Sequence, residues 1–175
     1  EGAARELKLG DPSKPSTDVG PVIDEAQRQM LADHIATISK TQKLVYAGDA
    51  PNQGLFFAPH IVELKDAAAL DREIFGPVLS VVRADSYAEG AQMIRDNPFG
   101  NGAAIFTRDG GAARQFQQDA DAGMVGINVP IPVPVGYHSF GGWNDSAFGD
   151  HTIYGPEGLR FYTRPKVITS RWPDP

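Results

Sequence analysis

Hydrophobic and polar positions change their period several times along this chain. After Asp24 the apolar residues Met30, Leu31, Ile35 and Ile38 recur at helical spacing, so a helix capped by Asp24 is expected to run to about Ser39. Residues 43–47 read as a short strand, 49–54 as a turn, and 55–62 as extended again. The β-branched run at 79–83 predicts a strand. Ser86 and Glu89 then have the spacing of a capping box, in which the hydroxyl takes one orphan amide and the carboxylate reaches back to another. The helix they open is expected to reach about Asp96, with Ala88, Ala91, Met93 and Ile94 toward the core and Pro98 and Gly100 as its stop. A strand at 103–107, a helix at 112–122 and a strand at 124–129 follow.

Strands alternating with helices at this spacing predict βαβ crossovers, hence an α/β fold with a parallel sheet. Pro130, Pro132 and Pro134 rule out a central strand beyond them, since each lacks the N–H that a ladder needs. A loop with Gly136, Gly141, Gly142 and Gly149 comes next. The tail at 160–169 alternates like a strand outside the main sheet, and such a strand pairs with another domain or subunit. The expected organisation is an α/β domain over 1–159 and an oligomerisation strand with the C-terminal tail over 160–175.

Composition narrows the chemistry. The 175 residues include 19 Gly and 14 Pro but no Cys, which excludes a thiol nucleophile, a thiolate metal site or a disulfide within them. A net charge of −6 argues against a nucleic-acid partner, whose binding needs clustered cations. No apolar run approaches the roughly 18 residues of a membrane span, and the polar start at Glu1 resembles neither a signal peptide nor a natural initiation site. A cytoplasmic protein without a membrane partner is expected.

There is no Gly-x-Gly-x-x-Gly and no phosphate-binding Gly-x-x-x-x-Gly-Lys. His34, His60, His138 and His151 show no metal spacing, and His34 is expected at a surface or boundary. His138 beside Ser139, and Asp150 beside His151, are sequence neighbours rather than catalytic pairs, and no Gly-x-Ser-x-Gly elbow exists for Ser139 or Ser146. Arg72 next to Glu73, and Arg95 next to Asp96, read as solvated charges. More informative is Glu73-Ile74-Phe75-Gly76-Pro77, a carboxylate and an aromatic ring two residues apart before a sharp turn. In an extended chain both face one side, where the carboxylate suits two sugar hydroxyls and the ring walls a flat cofactor. The alternative is a strand end with one packed Phe and one surface Glu. The loop 139–144 either lines a pocket or packs as an ordinary loop.

These segments resemble the C-terminal part of the catalytic region of the aldehyde dehydrogenase superfamily. Glu73-Ile74-Phe75-Gly76-Pro77 is similar to that family's Glu-x-Phe-Gly-Pro, and Asn97-Pro98-Phe99-Gly100 to its Asn, aromatic-Gly segment. Phe140-Gly141-Gly142 with Ser146, Gly149, Gly155, Gly158-Leu159, Tyr162-Thr163 and Lys166 resembles the closing pattern. Asn144 stands where the family often has Lys, and Ala147 where Gly is common. The Pro-rich run 128–134 and the segments 161–163 and 170–172 look most like the CoA-acylating methylmalonate-semialdehyde branch, whereas 20–24 looks more like the pyrroline-5-carboxylate branch.

The resemblance implies roles by position. Glu73 would hold the ribose of NAD or NADP, Phe75 would pack beside the nicotinamide, and Phe140 would line the tunnel for a small-molecule aldehyde, with CoA or water ending the cycle. The tail would join a homo-oligomer. The family's attacking cysteine, general-base Glu, oxyanion Asn and nucleotide domain would all precede this segment, so no catalytic residue is assigned and the segment alone is expected to be inactive. The alternative is a module that kept the fold and works in interaction or oligomerisation.

Overall fold

Asp24 does cap a helix: its carboxylate accepts from the Gln27 amide at 2.8 Å. The computed structural model describes residues 1–174, in two units divided after Ala84. The first unit opens with a short helix α1 (Gly2–Arg5), followed by α2 (Glu25–Ile38). It continues with the strands β1 (Lys43–Ala47), β2 (His60–Leu64) and β3 (Val78–Val82). The strands form one sheet in the order β1-β2-β3, antiparallel then parallel, with Val62 opposite Leu44 and Ser80.

Alternation along β2 puts Val62 and Leu64 on one face, where both are buried. They pack with Ile38, and Ile35, Val78 and Val82 complete the cluster. The apolar series that predicted α2 is thus the series that covers the sheet. Leu31, on the same helix, is fully buried.

The second unit contains α3 (Tyr87–Arg95), β4 (Phe99–Gly100), β5 (Gly102–Ile105), α4 (Gly110–Asp119), β6 (Met124–Ile127), β7 (Trp143–Asn144) and α5 (Gly155–Tyr162). Strands β5 and β6 are parallel neighbours joined through α4, the crossover that the pattern predicts. Strands β4 and β7 form a separate antiparallel pair. At the start of α3 the Ser86 hydroxyl accepts from Glu89 N–H at 3.2 Å. The Glu89 carboxylate reaches one residue beyond a standard capping box, to the Asp85 amide at 2.7 Å.

The expected α/β fold with parallel pairing is present, between β2 and β3 and between β5 and β6. One expectation is revised. The tail is not a strand from residue 160, because Arg160, Phe161 and Tyr162 close α5. Pro156 in the first turn fixes a helical φ, and Glu157 pairs with Arg160 one turn on. Pro165 then turns the chain away from helix. Residues 163–174 carry no regular structure and are exposed, Val167, Ile168 and Trp172 included. No helix among the described residues is long and apolar enough to cross a membrane.

Candidate functional site

The Glu73–Pro77 turn lies in the first unit, directly before β3. Its backbone is pinned from several sides. Gly76 N–H donates to the Ile74 carbonyl at 2.9 Å, Val78 N–H to the Gly76 carbonyl at 2.8 Å, and His60 N–H to the Pro77 carbonyl at 2.9 Å. The Gln27 side-chain amide, from α2, donates to the Phe75 carbonyl. Residue 76 must be glycine, because a Cβ there would lie 2.6 Å from both methyl carbons of the buried Leu31. The side chains are treated differently from the backbone. Phe75 is 73% exposed, and the exposed Glu73 carboxylate has no hydrogen-bond or ion-pair partner among the described residues. The alternative of a packed Phe is therefore not what forms. A fixed turn carries an acceptor and a ring that its own unit leaves unengaged.

His34, one turn beyond Leu31 on α2, is half-buried, and its buried Nε2 has no hydrogen-bond partner among the described residues. Burial, and next the Arg72 cation, hold its imidazole below the usual range, while Asp71 opposes them. Its boundary position agrees with the sequence expectation.

The closing loop lies in the second unit. Phe140 is half-buried and stacks on Tyr154, ring centroids 4.5 Å apart and planes within 5°. The following residues line an open groove of about 1020 Å³, walled by Gly141, Gly142, Trp143, Asn144, Ser146 and His151 among others. Both glycines are needed for close approach. A Cβ on Gly142 would lie 2.6 Å from the Ser146 Cβ, and one on Gly141 would lie 2.9 Å from a Thr152 methyl. Glu73 and Phe75 thus share one turn, whereas Phe140 belongs to the loop of the other unit and faces Tyr154.

The serine and histidine neighbours form no nucleophilic pair. The Ser139 hydroxyl accepts from Glu157 N–H at 3.1 Å, serving the first turn of α5, and the His138 ring packs on Tyr137 with centroids 4.4 Å apart. His151 lies 3.1 Å from the Glu157 carboxylate, and this contact, followed by Arg160, keeps that carboxyl below its ordinary pKa. Among the described residues no group of three or more acidic or histidine side chains is placed to hold a metal ion. Two contributors escaped the sequence reading, Gln27 and Tyr154. The Asp-x-x-Gln spacing at 24–27 was the available signal for the first. Nothing local marked the second.

The pattern of the Aldehyde dehydrogenase family matches residues 1–168. A malonate-semialdehyde dehydrogenase of Pseudomonas aeruginosa is 45% identical over 175 residues, 95% of this chain and 35% of that protein. Among solved structures, a methylmalonate-semialdehyde dehydrogenase from Oceanimonas doudoroffii superposes with a TM-score of 0.91 at 41% identity, covering 99% of this chain and 37% of the other. A putative methylmalonate-semialdehyde dehydrogenase from Sinorhizobium meliloti, solved in complex with NAD, gives the same TM-score at 42% identity and the same coverage. The chain spans about a third of the length of the curated relatives it matches. With the family pattern matched over nearly its whole length, the chain belongs to the aldehyde dehydrogenase family.

Proposed function

We propose that this chain is the C-terminal share of an NAD-dependent semialdehyde dehydrogenase acting on malonate or methylmalonate semialdehyde. The observation that carries the reading is the pinned turn on which Glu73 and Phe75 stand unengaged. These residues fit the nicotinamide end of the coenzyme: the Glu73 carboxylate accepts from two ribose hydroxyls, and the Phe75 ring packs against a flat face. The coenzyme, when bound, supplies the hydride acceptor. The likeness to an enzyme solved with NAD supports NAD as the partner, and the names of the relatives support the substrate class.

With no cysteine among its residues, the chain leaves the thiolate nucleophile to the rest of the protein. Phe140, held flat on Tyr154, contributes to the aldehyde passage. The acyl group, held as a thioester on that thiolate, is transferred to the thiol of CoA. The exposed tail, with Val167, Ile168 and Trp172, covers its apolar side chains against a second copy in a cytoplasmic homo-oligomer. That same tail also favours a second reading, a non-catalytic oligomerisation module.

The test is NADH formation from malonate semialdehyde by the complete protein, with and without CoA, beside the isolated 175-residue segment. The expected result is CoA-dependent turnover by the complete protein and none by the segment, with Glu73→Gln raising the KM for NAD about tenfold. Turnover by the segment, or unchanged NAD kinetics in Glu73→Gln, would overturn the reading. A complete protein without dehydrogenase activity that still forms a specific oligomer would establish the second.

A further inference from the structure

We infer that Gln27 is a positioning residue for the coenzyme grip, setting the angle at which the Glu73–Phe75 turn is presented. The inference rests on the proposed role of that turn. Gln27 is the third residue of α2, the position from which a capping-box side chain folds back to the amide of the cap residue. Here the backbone half of the box is kept, with the Gln27 amide donating to the Asp24 carboxylate at 2.8 Å. The side chain does something else: its Nε2–H donates to the carbonyl of Phe75, 48 residues away.

One turn along, at the i+4 position of the same face, Leu31 rests on Gly76. The helix therefore holds two consecutive residues of the turn, one through its carbonyl and the next through its Cα. A peptide plane fixed at Phe75 constrains the Cα–Cβ bond from which the ring projects, and through the short link Ile74 it constrains the backbone of Glu73. The Gly76 N–H bond to the Ile74 carbonyl holds the amide edge of that peptide within the turn, and the Gln27 bond ties its carbonyl edge to the helix. The cap bond between Asp24 and the helix forms without this contact.

A glutamate at this position separates the two roles. It keeps the helix start, and its negative charge favours an N-terminal turn. It offers no N–H, however, and sets a carboxylate against the Phe75 carbonyl. In the complete protein, Gln27→Glu, Gln27→Ala and Glu73→Gln are compared by NADH binding (fluorescence titration), by the KM for the aldehyde and by melting temperature.

The expected result is NADH affinity about fivefold weaker in both Gln27 variants. The aldehyde KM should stay within about twofold, and the Gln27→Glu melting temperature should equal or exceed the parent's. Parental NADH affinity in both Gln27 variants, with Glu73→Gln weakened, would overturn this inference and leave the grip standing. Parental affinity in Glu73→Gln would overturn the grip itself. Failure of both Gln27 variants to fold would mark the contact as structural and likewise overturn the positioning role.

Discussion

Asn128 and Thr107 are joined by two opposed hydrogen bonds. Thr107 N–H donates to Asn128 Oδ1 at 2.8 Å, and Asn128 Nδ2–H donates to the Thr107 carbonyl at 3.0 Å. The carboxamide thereby stands in for a backbone peptide and extends the β5–β6 pairing past its last ladder pair, Ile105 and Ile127. Asn128 also has φ 57°, a left-handed conformation that Asn tolerates and most residues do not. Replacing it separates the two contributions. Asn128→Ala loses both bonds and strains the backbone, for about 2 kcal/mol. Asn128→Gly recovers the backbone part and should fall between Ala and the parent. Chemical denaturation midpoints give the order, and an Ala variant as stable as the Gly variant would refute the strain contribution.

Gly123 opens the loop to β6 beneath the closing loop. A Cβ at this position would lie 1.9 Å from the Gly141 carbonyl oxygen and within 3.1 Å of the Gly142 carbonyl carbon. Both neighbours are backbone, so no side chain can swing aside to make room. Gly123→Ala is expected to cost about 3 kcal/mol and to displace the loop that walls the second-unit groove. Gly2→Ala is the matched control, since nothing lies within 4 Å of the added methyl group. Melting temperatures of the two variants check the claim, and similar values for both would refute it.

Local chemistry in the sequence was enough to find most of the elements. Asp24 and Ser86 announced their helices because an N-cap needs only its own side chain and the next turn of backbone. Lys43–Ala47 was readable to the residue because Gly48 and Pro51 break the pattern after it. The partners of the strands were not readable in this way. Whether β3 meets β2 or a later strand depends on contacts remote in sequence, and period-2 alternation is silent about them. The tail misled for a related reason. Arg160-Phe161-Tyr162 satisfies a strand pattern and also the last turn of a helix begun at Gly155. In the site, Glu73 and Phe75 stood out as chemistry-bearing types on a turn. Gln27 did not, because its role is fixed by a residue 48 positions later.

Acid titration should reveal two separate losses of stability. Glu63, on the central strand β2, bonds to Arg83 and to Lys43 at 3.2 Å, so it links residues of β1 and the end of β3 across the sheet. The Arg83 hydrogen bond, and next the one from Lys43, lower its carboxyl pKa from the ordinary 4.5. A lowered carboxyl pKa contributes stability that is present above 4.5 and is lost as the pH falls through the folded-state value. His34 acts higher on the scale. Its imidazole, lowered from 6.5 chiefly by burial, resists protonation in the fold, so its contribution is present above 6.5 and declines as the pH drops below that value. Denaturation midpoints measured across the acid range should therefore fall in two steps. His34→Leu should flatten the upper step and leave the lower one, whereas Glu63→Gln should leave the upper step and reduce the lower one, to which Glu157 also contributes. Parallel curves for the parent and both variants would show that neither group is linked to folding.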